Sequence, residues 1–323
     1  MNTPVKINLR DAETVSKLND AVASGTAAQL IHEAEQNQDN KLDEIAGEII
    51  RRNKLGGASV VMIAGPSSSG KTTTSKRLGE HLKAGGLTPK LISLDDYFVN
   101  RADTPRDEKG EYDYESIHAL DVPQFKRDMQ TLLSGGEINL PTYSFELGER
   151  IERERPLSLK TGEVLVVEGI HGLNPELTSG LDPASIFRLY VSALTRQALP
   201  DGGLLSTSDQ RLLRRLVRDN KYRHTAPEST LKRWDSVRRG EEKWIFPFQG
   251  NNDAAFDTSL PFEPGVIKGY ASPLLEGVSP GDSGYDTARR LLKLLEPFAS
   301  LGAEAVPSDS LLREFVGGSS FHY

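Results

Sequence analysis

Nine consecutive residues, Gly65, Pro66, Ser67, Ser68, Ser69, Gly70, Lys71, Thr72 and Thr73, combine two glycines, three serine hydroxyls, a lysine and two threonines. Their spacing satisfies G-x-x-x-x-G-K-[ST] at every required position. Small residues let the backbone wrap closely around a polyphosphate, and the N–H groups of such a turn point at the anion where a helix begins. Lys71 would bring a cation to the β- and γ-phosphates, and Thr72 an oxygen to magnesium. The chemistry expected of the segment is binding of ATP or GTP with Mg2+. The plainer alternative is a tight glycine turn beside a solvated lysine.

Nucleotide binding alone does not separate a phosphotransferase from a switch or a motor, so the acceptor side needs its own residues. Asp95 follows the apolar run 90–94 and could position an acceptor hydroxyl and take its proton. On position alone, a turn aspartate closing a strand explains it equally. Glu168 ends the run 164–167, where an acid meets the metal or its water shell. His171 reads as a helix cap or a ligand. Arg211, Arg214, Arg215 and Arg218 have i, i+3, i+4, i+7 spacing, which puts their guanidinium groups on one helical face, and Arg223 follows. That face can close over a triphosphate and neutralise developing charge. A solvated basic face and an RNA-binding helix are the alternatives. Lys232, Arg233, Arg238 and Arg239 read as surface charge or support for this lid. Two fragments resemble guanine-nucleotide switches, Asp107 to Gly110 as D-x-x-G and Asn40 to Asp43 as N-K-x-D. The second lies upstream of the glycine-rich turn, in the wrong order, and both read as coincidence.

The elements that must hold these residues follow from periodicity. Residues 59–64 are a short β-branched run before the glycine-rich turn, and a helical pattern ends near Gly85. Further buried strands are expected at 90–94, 164–167 and 186–191. Strands alternating with helices predict an α/β fold with a doubly wound, mostly parallel sheet. Residues 1–56 carry helical patterns, including Leu42, Ile45, Ile49 and Ile50, and read as an N-terminal helical appendage. The main domain is expected over 57–300, with a loop-like segment at 100–120, an inserted β-hairpin at about 138–159 and an arginine-rich helical lid at about 208–240. Residues 301–323 would form a C-terminal tail, docked or loose.

Composition sets outer limits. The 323 residues are 37% hydrophobic and 26% charged, as in an ordinary globular chain. Cysteine is absent, so there is no thiolate metal site or disulfide, which suits a reducing, cytoplasmic setting. The net charge of -7 argues against general electrostatic binding of nucleic acid, and no apolar run is long enough for a membrane span. Homo-oligomerisation is left open.

Five segments occur in one order: 65–73, Leu94 to Phe98, Pro141 to Phe145, Val167 to Gly172 and Arg214 to Asp219. With them the chain resembles the uridine kinase and phosphoribulokinase family of P-loop kinases over roughly residues 58–260. Segments 236–249 and 311–318 look like late segments of the bacterial uridine-kinase-like branch, whose longer members carry a threonyl-tRNA-synthetase-like N-terminal region largely absent here. The resemblance implies a P-loop NTPase fold and a catalytic base at Asp95, with Lys71, Arg215 and Arg218 acting on the transferred group. It implies metal association at Thr72 and Glu168. For the acceptor it implies Asp95, Tyr97, Glu115, Tyr143, Arg218 and Arg223, with Glu115 on ribose hydroxyls and Tyr143 beside a base. The chain departs from uridine kinases in lacking their uracil-reading histidine near Gly148 and in carrying glutamate for aspartate at 115. The activity expected is ATP- or GTP-dependent phosphorylation of a nucleoside, uridine or cytidine first, at its 5′-hydroxyl. Another small alcohol, such as a sugar phosphate or pantothenate, is the alternative within enzymes, and a non-catalytic, nucleotide-dependent, RNA-associated regulator the alternative outside them.

Overall fold

The structure, a computed structural model, describes residues 5–322; the first four residues of the expected N-terminal segment and Tyr323 of the expected tail lie outside the described residues. Five strands form the central sheet: β1 (Val60–Ala64), β2 (Thr88–Ser93), β3 (Glu163–Glu168), β4 (Ile186–Ser192) and β5 (Ala254–Asp257). Their order is β5-β4-β1-β3-β2, and every pairing is parallel. A parallel sheet of this kind needs helices on both faces, and so its central strands are apolar throughout. All five residues of β1 are buried.

One face is covered by α3 (Lys71–Ala84) and by α2 (Ala27–Lys54). Leu42, Ile45 and Ile49 of α2 meet Leu78 and Leu82 of α3 over Val61 and Ile63. The other face is covered by α4 (Val122–Leu133), whose Phe125 and Met129 pack with Val60 and Met62. A separate apolar cluster joins α1 (Glu13–Ala23), α5 (Thr207–Arg223), α6 (Pro227–Trp244), α7 (Glu263–Glu276), α8 (Tyr285–Leu295) and the C-terminal segment. Residues 1–56 therefore supply α1 to this cluster and α2 to both, its Ile31 and Ala34 entering the cluster while Leu42, Ile45 and Ile49 cover the sheet. The last segment is docked, with Leu311, Leu312 and Phe315 essentially without exposed surface.

The expected lid helix is two helices. α5 is opened by a capping box between Ser206 and Asp209 and closes at His224, whose φ of 50° is left-handed. Pro227 then starts α6 at a position where its missing N–H costs nothing, and it disfavours helical geometry in the residue before it. The hairpin is present as two ribbons, Glu137–Asn139 with Pro156–Ser158 and Tyr143–Ser144 with Glu149–Arg150. β5 was not foreseen, nor was the small sheet in which Asn8–Arg10 pairs with Thr195–Ala198. No helix among the described residues is long and apolar enough to cross a membrane.

Register fixes where the functional ends lie. Ser93 of β2 and Ile63 of β1 both stand level with Glu168 of β3. The glycine-rich turn, the Asp95 turn and Glu168 thus leave the sheet along one carboxyl edge, the place where open α/β sheets bind ligands.

Candidate phosphoryl-transfer site

The turn between β1 and α3 is built around left-handed backbone at the start of a helix. Gly70 stands at the N-cap of α3 with φ 88°, a left-handed conformation suited to glycine, and Ser68 has φ 57°. Lys71 folds across the turn, its Nζ donating to Pro66 O at 3.3 Å. The hydroxyls of Ser68 and Ser69 are buried without hydrogen-bond partners. Unsatisfied hydroxyls around the start of an eight-residue-plus helix fit an anion seat.

Lys71, Thr72, Asp95 and Glu168 line one cavity of about 590 Å³, together with Glu115, Tyr143, Arg215, Arg218 and Arg223. Asp95 also borders a neighbouring cavity of about 910 Å³ walled in part by the C-terminal segment. Asp95 sits in a single 3₁₀ turn, Leu94–Tyr97, and its own N–H donates to Ser93 Oγ at 3.3 Å. Asp95 is exposed where it borders the cavities, while protein crowds it elsewhere. That crowding raises its pKa above the ordinary aspartate range, with Lys71 opposing the shift. Glu168 is raised for the same reason and by the nearby Asp95 charge. Thr72 Oγ1 donates to Glu168 Oε1 at 3.3 Å, and Ser93 Oγ donates to the same oxygen at 3.1 Å. A hydroxyl and a carboxylate side by side, with room for phosphate oxygens and water, suit a hard cation such as magnesium.

Glu115 lines the same cavity, and burial pushes its pKa up to about 7, with Arg215 opposing. Beside it an aromatic corner forms from Phe98, Tyr143 and Phe145, with ring centroids 5.1 to 5.9 Å apart. Arg101 fills the corner at Gly148, where a Cβ would lie 2.5 Å from its Cζ, and its Nη2 donates to Phe145 O at 2.9 Å.

The arginine helix divides its labour. Arg215 reaches the turn, its Nη1 donating to Ser67 Oγ at 2.7 Å. Asp219 gathers Arg215, Arg218 and Arg223 at 3.3, 2.8 and 3.4 Å. Arg211 and Arg214 correct the expectation of a single charged lid face. Arg214 has no exposed surface and pairs with Glu263 at 2.5 Å, while Arg211 pairs with Glu241 at 2.5 Å. Both are internal ion pairs. Nor are all of the later basic residues plain surface charge: Arg238 pairs with the buried Glu241 at 2.8 Å, whereas Arg233 lines the cavity.

Tyr97 is a second correction. Its side chain is fully buried, its hydroxyl donates to Asp128 Oδ2 at 2.9 Å, and its ring stands edge-on to Phe125. It supports the Asp95 turn from below and lines neither cavity. His171 is 2% exposed, lies among the backbone groups of Glu115, Ser116 and Trp244, and lines neither cavity, while Asn174 caps the helix that follows, so it is neither that cap nor a ligand on the cavity wall.

Three acids went unread in the sequence. Asp219 was legible in principle, because it stands four residues after Arg215 and one after Arg218. Glu241 carried a similar signal, three residues after Arg238, whereas Glu314 carried none that points to Thr73. Glu314 accepts from Thr73 Oγ1 at 2.6 Å and Thr73 N at 3.3 Å across 241 positions of sequence.

The family profile described as Phosphoribulokinase / Uridine kinase family matches residues 60–261. A uridine kinase of Deinococcus deserti is 28% identical over 175 residues, covering 54% of this chain and 75% of that protein. A uridine kinase of Staphylococcus aureus is 29% identical over 211 residues, covering 62% of this chain and 92% of that protein. A solved Bacillus stearothermophilus chain, described as a possible uridine kinase, aligns with a TM-score of 0.43 and 20% identity, covering 69% of this chain and 98% of the other.

Proposed function

This chain belongs to the phosphoribulokinase/uridine kinase family and is a phosphotransferase with an alcohol acceptor, and from that premise we propose that it phosphorylates a nucleoside, uridine or cytidine first, at the 5′-hydroxyl. The observation that carries the reading is the common cavity: Lys71 and Thr72 open onto the same space as Asp95 and Glu115. A donor phosphate at the turn and an acceptor hydroxyl at Asp95 would meet there without crossing a wall.

In this reading Lys71 and the backbone of Ser68 to Thr72 hold the polyphosphate of ATP or GTP, while the N–H groups of Ser67 and Thr73, which the sequence also offered, are taken by Glu241 and Glu314. Thr72 and Glu168 would hold magnesium, which would supply charge neutralisation to the phosphates. Asp95 accepts the hydroxyl proton, a task helped by its raised pKa. Arg215 and Arg218 face the cavity from α5 and stabilise charge on the transferred group. Glu115 receives the ribose hydroxyls, with Arg223 and the aromatic corner around Tyr143 enclosing the rest of the acceptor.

Arg101 favours one second reading. It occupies the corner near Gly148 where the resemblance leaves the uracil-reading histidine without a counterpart. A guanidinium there suits an acceptor bearing an anionic group, such as a sugar phosphate. To decide, purified protein with Mg-ATP is offered uridine, cytidine, sugar phosphates and pantothenate, and ADP release and product mass are read. Turnover on a nucleoside supports the first reading, and turnover only on another alcohol rejects it.

A further inference from the structure

Two neighbouring residues of α6 touch two different parts of the site. Glu241, which has no exposed surface, accepts from Ser67 N at 3.2 Å through Oε1. The same carboxylate holds Arg211 in a two-pronged pair at 2.5 and 2.9 Å, and Arg211 Nη1 in turn donates to Ser67 O at 3.0 Å. With Arg215 on its hydroxyl, every polar group of Ser67 is tied to α5 or α6. Ser67 immediately precedes the left-handed Ser68, so the latch holds the turn where its backbone is least comfortable.

Gly240, one residue earlier, lets α6 lie directly against the acceptor side. A Cβ at this position would fall 2.3 Å from Glu115 Cβ. One turn further on, Trp244 Nε1 donates to Asp113 Oδ2 at 3.2 Å and its ring meets His118 edge-on. The donor turn and the loop bearing Glu115 therefore share one rigid support.

We propose that Glu241 is a positioning residue for phosphoryl transfer, holding Ser67 directly and through Arg211, and that α6 makes the donor turn and the acceptor loop move as one unit. The acceptor half rests on the reading of Glu115 given above, whereas the donor half needs only that the turn binds nucleotide. Neutralising one partner of a buried charge pair leaves the other without its counter-charge, which destabilises the arrangement it holds.

The chain has two tryptophans, Trp234 and Trp244, and both lie on α6, the first beneath Arg211 at 5.3 Å. Intrinsic fluorescence of the full chain therefore reports on α6 and requires no acceptor. Titration with Mg-ADP is expected to change it in the wild type. Glu241→Gln is expected to keep Mg-ADP binding by calorimetry within about tenfold, to lose the fluorescence response, and to lose roughly 100-fold in turnover on whichever acceptor is used. Gly240→Ala is expected to raise the acceptor KM while leaving Mg-ADP affinity unchanged. A wild type whose fluorescence ignores bound Mg-ADP overturns the proposal, as does a folded Glu241→Gln variant with wild-type turnover. If that variant does not fold, Gly240→Ala decides: an unaltered acceptor KM and fluorescence response overturn it. Absence of nucleoside turnover in the acceptor panel rejects the nucleoside reading alone, since the fluorescence and Mg-ADP measurements stand without it.

Discussion

Replacing Asp95 by asparagine keeps the side chain's size and removes its capacity to take a proton. Turnover is expected to fall roughly 100- to 10,000-fold while Mg-ADP affinity holds, because a carboxylate beside the phosphates contributes nothing to holding them. Steady-state kinetics and calorimetry check the two halves separately. Arg215→Ala or Arg218→Ala should lower turnover more than donor affinity if these groups act on developing charge; equal losses would mean ordinary binding. Glu115 gives a pH signature. Burial raises it from 4.5 to about 7, so between those values the folded chain keeps a proton that the unfolded chain releases. Its stabilising contribution is present below the unfolded pKa and is lost as pH rises through about 7. Glu115→Gln should therefore raise the melting temperature more at about pH 8 than at about pH 5, relative to wild type. The acceptor KM of the wild type should climb as pH falls below about 7, where the carboxylate that receives hydroxyls becomes protonated. At this scale sequence alone reached the turn residues, Asp95 and Glu168, since each follows an apolar run that announces a strand end. It misplaced Tyr97, because adjacency to an active acid says nothing about which way a side chain in a 3₁₀ turn points.

Elements were legible where period and punctuation agree. The run 59–64 with its glycine-rich turn, and the β-branched run 164–167, could hardly be other than buried strands. β5 escaped notice because only Phe256 of its four residues is buried, and its neighbours are asparagine and aspartate. The division of α5 from α6 was written in Pro227, but the continuous arginine-rich pattern on both sides masked it. Arginine spacing gave one face of α5 correctly as geometry, yet it could not say that Arg211 and Arg214 meet acids from α6 and α7. Those partners lie 30 and 49 positions away, beyond any local pattern. The docked C-terminal segment is testable as an element. Phe315→Ala removes a fully buried ring that also lies against Arg214, at 5.3 Å from its Cζ. It should cost about 3–5 kcal/mol, read as a lowered urea midpoint.

At the scale of the molecule, the family match ends at residue 261, and the chain on either side of it builds much of one shared core. Val15 and Leu18 of α1 join Phe262, Phe298 and Phe315 there. α2 meanwhile covers a sheet face that would otherwise present Val61, Ile63 and Phe187 to water. A chain beginning at residue 57 is expected to be insoluble or to bind a hydrophobic dye strongly, and a soluble, cooperatively melting product would contradict that packing. No sequence period could show this, because an amphipathic helix announces only that it needs a partner.

The bond between Thr73 and Glu314 has a consequence for how the protein is made. Synthesis delivers the phosphate turn 241 positions before its buried carboxylate partner, so the helix that begins at Lys71 emerges from the ribosome long before that bond can form. Competence to hold a nucleotide in its final geometry is therefore acquired late.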